Sequence, residues 1–171
     1  MAKRKTEKAK TPDSRIWLET DLAAAEYNFK RIKKAVKPLK VMAVLKANAY
    51  GLGVMEIAER LDRAGADGFC VAEVREAMQL LPFGKPVQIL GGLLDFELEQ
   101  AVKNHFILGI TCFEAAKKIS DESVRQGVTT EVHFKIDTGM GRLGILEKDA
   151  LAVAKKVAKL PKRVEKPSTK L

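Results

Sequence analysis

Short apolar runs alternate with amphipathic stretches through most of this chain, and no other feature limits its fold as much. Residues 41–46, 68–72, 87–90, 107–111 and 131–136 are compact, β-branched-rich runs and predict five strands. Helical spacing fills the gaps between them, over residues 54–63, 74–81, 96–104, 113–126 and 148–160. The stops are explicit: Pro82, Gly127 and Pro161 follow three of these helices, and Asp95 is placed to cap another. A further helix comes first. Thr20 or Asp21 can cap it, Leu22, Ala25, Phe29, Ile32 and Val36 recur at its period, and 16–20 is a short extended piece before it. Strict alternation of this kind predicts an α/β fold, a parallel sheet with helices outside. Two closures satisfy it, a doubly wound open sheet or a (β/α)8 TIM-type barrel, and both place chemistry at the carboxyl ends of the strands.

The charge is unevenly placed. A net +9 over 171 residues would suit a nucleic-acid binder. Residues 1–15, however, hold six bases against two acids, and 155–171 hold seven against one, while the stretch between holds 18 against 19. The body is near neutral, so the expectation is a basic tail at 1–15, a globular unit at 16–160 and a second basic tail at 161–171, with no nucleic-acid partner. No apolar run is long enough to cross a membrane, and Met1 to Ser14 lacks the core of a signal peptide. Cys70 and Cys112 are isolated thiols without metal-ligand spacing, so neither a metal site nor a disulfide framework is expected. A cytoplasmic protein is the consistent expectation.

Two strand ends carry unusual residues. Met42, Val44 and Lys46 share one face of the first strand, so Lys46 ends an otherwise apolar run. A lysine partly desolvated there has the character of an amine that attacks an aldehyde; a lysine that snorkels to solvent is the competing reading. Asn48, Gly51 and Gly53 permit a tight turn, which would fold Tyr50 back toward Lys46, unless Tyr50 simply packs with its hydroxyl at the surface. In the fifth strand Glu131, His133, Lys135 and Asp137 alternate with Val132, Phe134 and Ile136, a costly polar face if the strand is covered on both sides. Lys135 and Arg142 are separated by a glycine-containing turn, and if they meet they need an anion between them.

The segment Ala43-Val44-Leu45-Lys46-Ala47-Asn48-Ala49-Tyr50-Gly51 resembles the pyridoxal-phosphate lysine motif of alanine racemases. His133-Phe134-Lys135-Ile136-Asp137-Thr138-Gly139-Met140-Gly141-Arg142-Leu143-Gly144 resembles that family's second signature. The likeness runs from about residue 16 to 160, with histidine often standing in the family where Leu52 stands here. It implies an eight-stranded α/β barrel followed by a β-rich domain, in a head-to-tail homodimer. This chain would hold about five of the eight βα units, without the β-rich domain. The cofactor implied is pyridoxal 5'-phosphate, the substrate alanine, and the product D-alanine for peptidoglycan.

By the same resemblance Lys46 forms the Schiff base and is the base on the D-alanine side. Tyr50 belongs to the cofactor-phosphate region. Arg142 bonds the cofactor's phenolic oxygen and helps hold the substrate carboxylate. Lys135 matches a lysine that some members carry as a carbamate, which would turn it into an anion able to hold Arg142. The family's remaining strands bring a histidine on the pyridine ring and an arginine at its nitrogen, and its β-rich domain brings the catalytic tyrosine of the L-alanine side. After Arg163-Val164-Glu165, which resembles the approach to a sixth strand, the likeness ends. The expectation is therefore a truncated racemase, inactive alone; the alternatives are a non-catalytic pyridoxal-phosphate-binding protein and a fragment of a broad-specificity amino-acid racemase.

Overall fold

Five of the apolar runs pair side by side, all parallel and in chain order. The computed structural model describes residues 15–161, so the expectations for 1–14 and 162–171, including the piece at Arg163-Val164-Glu165, lie outside the described residues. The strands are β1 (Met42–Val44), β2 (Gly68–Val71), β3 (Val87–Ile89), β4 (Ile107–Ile110) and β5 (Val132–Phe134). Their order in the sheet is β1-β2-β3-β4-β5. Register puts Ala43 beside Phe69 and Phe69 beside Val87, then Ile89 beside Leu108 and Leu108 beside Val132.

Side chains alternate across a strand, so each row belongs to one face. Ala43, Leu45, Phe69, Val71, Val87, Ile89, Leu108 and Ile110 all enter one core cluster. Opposite them in that cluster stand Ile57, Leu61, Val74, Ala77, Ala101, Val102, Ala116 and Ile119. These come from α3 (Val54–Arg63), α4 (Val74–Gln79), α5 (Leu98–Lys103) and α6 (Phe113–Gln126). The other rows, Met42 and Val44, Cys70, Gln88, Gly109 and His133, lie outside that cluster, and Val44 is 40% exposed. A doubly wound sheet reverses its strand order and carries helices on both faces. This one does neither, which sets the open-sheet closure aside: the fold is a partial barrel whose interior face is open.

Several boundaries shift. The first helix, α1 (Leu22–Ala35), is capped by Asp21, whose carboxylate accepts the Ala24 N–H at 2.9 Å. No strand forms at residues 16–20. Asp95 does not cap; a 3-10 turn, Asp95–Glu97, precedes α5, and the Glu97 side chain takes the Leu94 N–H at 2.9 Å. The fifth strand is broken. Its second half, β6 (Ile136–Asp137), leaves the sheet and pairs with a strand absent from the sequence reading, β7 (Ile145–Leu146), which leads into α7 (Glu147–Val157). The expectation that this strand is covered on both sides fails: among the described residues β5 is an edge, and Glu131 and His133 on the polar face are exposed. Its polar face therefore meets solvent and carries little desolvation cost. Among the described residues no helix is long and apolar enough to cross a membrane.

Candidate active site

Lys46 begins α2 (Lys46–Tyr50) directly after β1. The hydrogen bonding of α2 is helical, but its hand is reversed. Ala47 (φ 52, ψ 51), Asn48 (φ 55, ψ 48), Ala49 (φ 52, ψ 47) and Tyr50 (φ 57) are all left-handed. For residues with a Cβ this costs roughly 1–2 kcal/mol each, and it persists only where the surroundings enforce it. Here the Ala49 N–H donates to the Leu45 carbonyl and the Gly51 N–H to the Ala47 carbonyl, both at 2.9 Å. Ala49 is buried to 2%. Asn48 Oδ1 accepts the Val54 N–H at 2.9 Å and so caps α3. The Glu76 carboxylate takes the Ala47 N–H at 2.5 Å and the Ala72 N–H at 2.7 Å. The turn expected at Asn48, Gly51 and Gly53 thus falls on four residues that are not glycine. It does fold Tyr50 back: Lys46 Nζ lies 6.0 Å from the centre of the Tyr50 ring. Lys46 is half-buried and Tyr50 is 62% exposed.

Lys135 sits where the fifth strand breaks. Its N–H still donates to Ile110 in β4 at 2.9 Å, while its carbonyl accepts the Ile145 N–H of β7 at 2.7 Å. The half-buried side chain crosses two strand ends, and Nζ donates to the Leu90 carbonyl at 2.9 Å. The next residue, Gly91, donates to the Ala72 carbonyl at 3.1 Å, and a Cβ at Gly91 would run into that oxygen. Glu76, Ala72, Gly91, Leu90 and Lys135 therefore make a lateral set of hydrogen bonds across the carboxyl ends of the sheet.

Arg142 lies on the loop between β6 and β7. Asp137 shapes that loop: Oδ1 accepts the Gly139 N–H at 2.9 Å and the Gly141 N–H at 3.0 Å. These backbone donors, Gly141 first, then Gly139 and Met140, hold the Asp137 carboxyl below its ordinary range. Gly144 closes the loop at φ +138, with space for a Cβ denied by the Asp137 nitrogen at 2.7 Å. Arg142 itself is exposed.

Lys46, Lys135 and Arg142 share a property. Among the described residues none of the three pairs with a carboxylate, although surface lysines such as Lys30 and Lys117 do. Among the described residues no carboxylate side chain joins Lys135 to Arg142, and Lys135 Nζ donates to a backbone carbonyl. An amine after β1, and cations without carboxylate partners after β5 and β6, supply the groups that a cofactor carrying an aldehyde and a phosphate needs, all beyond the carboxyl ends of strands. The sequence reading missed Glu76, the Leu90 carbonyl and the latch role of Asp137. Only Glu76 left a signal: a glutamate in a helix's first turn commonly reaches back to the backbone entering it.

The profile of the family described as alanine racemase, N-terminal domain, matches residues 20–166. The alanine racemase of Clostridium tetani is 36% identical over 149 residues, 85% of this chain and 38% of that protein. That of Methanococcus maripaludis is 38% identical over 149 residues, 85% of this chain and 40% of its own length. Among solved structures, alanine racemase of Clostridium difficile 630 superposes with a TM-score of 0.74 at 30% identity, covering 82% of this chain and 37% of its own. A histidine racemase from Leuconostoc mesenteroides matches with the same TM-score, 0.74, and the same 30% identity, over 82% of this chain and 39% of its own. The chain spans about two fifths of the length of the curated relatives it matches.

Proposed function

The chain belongs to the alanine racemase N-terminal-domain family, and from that membership we propose that it forms the pyridoxal-phosphate-binding part of a cytoplasmic amino-acid racemase. The substrate is alanine, the product D-alanine for peptidoglycan, and the working assembly a homodimer. The observation that carries this reading is Lys46: a half-buried amine at the carboxyl end of β1, without a carboxylate partner among the described residues.

Pyridoxal phosphate, when bound, supplies an aldehyde for an amine and a ring that withdraws electrons from the substrate's α-carbon. The chain's own residues do the rest. Lys46 would hold the group through Nζ and, once the substrate's amine has taken its place, the freed amine would take or return the proton on one side of the α-carbon. Tyr50, folded back over Lys46, would donate its hydroxyl to the phosphate. Arg142, cationic and exposed on a loop that Asp137 and Gly144 keep in one shape, would donate to the cofactor's phenolic oxygen and to the substrate carboxylate. Lys135, after losing its ammonium proton, would add through its amine to CO2 with loss of a second proton, and the resulting carbamate would give Arg142 an anionic partner. The equal likeness to a histidine racemase favours one second reading, a racemase of another amino acid, because these residues act on the group common to all amino acids.

Borohydride fixes a lysine–cofactor linkage irreversibly. Incubation of the chain with pyridoxal phosphate, reduction and peptide mapping should concentrate the label on Lys46, and Lys46→Ala should remove it. Label spread evenly over the exposed lysines would overturn the assignment.

A further inference from the structure

We propose that Glu76 is the positioning residue for Lys46: its carboxylate clamps the left-handed turn to the end of β2, and without it the Lys46 amine loses its direction. This rests on the assignment of Lys46 made above. The two contacts are distinct in kind. The bond to the Ala72 N–H at 2.7 Å lies four residues back along Glu76's own chain, the ordinary reach of a glutamate in a helix's first turn. The bond to the Ala47 N–H at 2.5 Å is made 29 residues away in sequence and has no local explanation. It falls on the residue directly after Lys46.

Ala47 is also where the backbone changes hand, at φ 52. The first N–H groups of a helical turn lack partners within it, and this holds for either hand. Glu76 supplies the partner for Ala47, as a charged acceptor, and charge-assisted hydrogen bonds are short and strong. The remaining bonds of the turn, from Ala49 to Leu45 and from Gly51 to Ala47, are internal to it. They hold its shape but do not say where it points relative to the sheet. Asn48 ties its far end to α3 through Val54. Among the described residues the side chain that ties its near end, beside Lys46, to the end of β2 is that of Glu76. Ala72 in turn accepts from Gly91, and Leu90 accepts from Lys135, so the clamp belongs to the frame that carries Lys135. The Glu76 carboxylate touches neither Lys46 Nζ nor the open face. Its action is on direction, not on chemistry.

The test uses the whole chain and three variants, Glu76→Ala, Glu76→Gln and Lys46→Ala. Two readouts are taken: amide hydrogen exchange without cofactor, and the pyridoxyl label on each lysine after borohydride reduction. In Glu76→Ala, exchange at Ala47 to Ala49 should rise at least about tenfold, the scale of one charge-assisted hydrogen bond. Exchange in β2 to β4 should not change, which separates lost direction from lost fold. Label at Lys46 should fall by a similar factor while surface lysines label as before. Glu76→Gln keeps one acceptor oxygen and should lie between the parent and Glu76→Ala in both readouts. Unchanged exchange at Ala47 to Ala49, or faster exchange there with Lys46 labelling as in the parent, would overturn the proposal. Should Glu76→Ala not fold, Glu76→Gln decides by the same two measures. Should the parent not label at Lys46, the assignment of Lys46 fails, and with it the claim that the clamp serves an amine, whatever exchange shows of the clamp itself.

Discussion

At Asn48 one side chain meets two demands at once. Its backbone is left-handed, at φ 55, a region that asparagine tolerates better than other residues with a Cβ. Its Oδ1 accepts the N–H of Val54, the first residue of α3, whose own N-cap, Gly53, has no side chain to offer. Alanine at this position would keep the strain and lose the acceptor. Asn48→Ala should therefore lower the unfolding free energy of the chain by about 1–2 kcal/mol, the usual cost of a lost cap, when followed in urea. Asn48→Asp keeps an acceptor and should lose much less. Equal losses in the two variants would show that left-handed strain, not capping, governs this position. The same distinction applies along the Asp137 loop, where a carboxylate gathers backbone N–H groups and thereby sets the start point of Arg142.

α1 packs on α3 and is tied to the amino-terminal ends of β1 and β2. Lys33 of α1 reaches both the Gly65 carbonyl and, at 3.1 Å, the Asp67 carboxylate, and Asp67 accepts the Val41 N–H at 2.7 Å. Three segments thus converge on one carboxylate: the end of α1, the approach to β1 and the loop into β2. The Val41 N–H, and after it Lys33, hold the Asp67 carboxyl below its ordinary range. A carboxyl depressed by folding stabilises the fold above its unfolded pKa, near 3.9 for aspartate, and that contribution disappears as pH falls through the lower folded value. Urea midpoints should consequently separate parent from Asp67→Asn near neutral pH and converge in strong acid. A gap that persists undiminished below about pH 3 would contradict this account. Elements were also the scale at which the sequence was most legible. Val54–Arg63 and Phe113–Gln126 fall where apolar period and stop signals put them. The break at Lys135 was not legible, because Glu131 to Ile136 alternates as one strand would. What splits it is the pairing of Ile136 with Ile145, a contact nine residues ahead across three glycines. Left-handed Ala47 and Ala49 were equally hidden, since alanine by itself argues for a right-handed helix. Lys46, Tyr50, Lys135 and Arg142 were singled out through resemblance, whereas the Glu76 contact with Ala47 spans two βα units and leaves only a helix-start glutamate in the sequence.

Over the whole molecule, one face of the sheet is finished and the other is not. The helix-covered face is a continuous buried core with Phe69, Val71, Ile89 and Leu108 fully enclosed. The opposite face exposes Val44 and His133, and among the described residues β1 and β5 each pair on one side only. Unpaired edges of parallel strands invite pairing with other chains, and a barrel interior without its opposite wall leaves apolar side chains in water. Inversion at the α-carbon also needs a proton group on each side of the substrate. The described residues offer Lys46 for one side; the family's tyrosine, on its β-rich domain, would serve the other. Absence of one member of a positioned acid–base pair costs on the order of 10²–10⁴ in rate. A polypeptide of these 171 residues should therefore take up pyridoxal phosphate at Lys46 yet show no appreciable racemisation in a coupled D-alanine assay. In size-exclusion chromatography with light scattering its mass should rise with concentration as edges and open faces associate. A monomer at all concentrations that racemises alanine as fast as a complete family member would show that the open face needs no further wall and the second proton group lies within these residues.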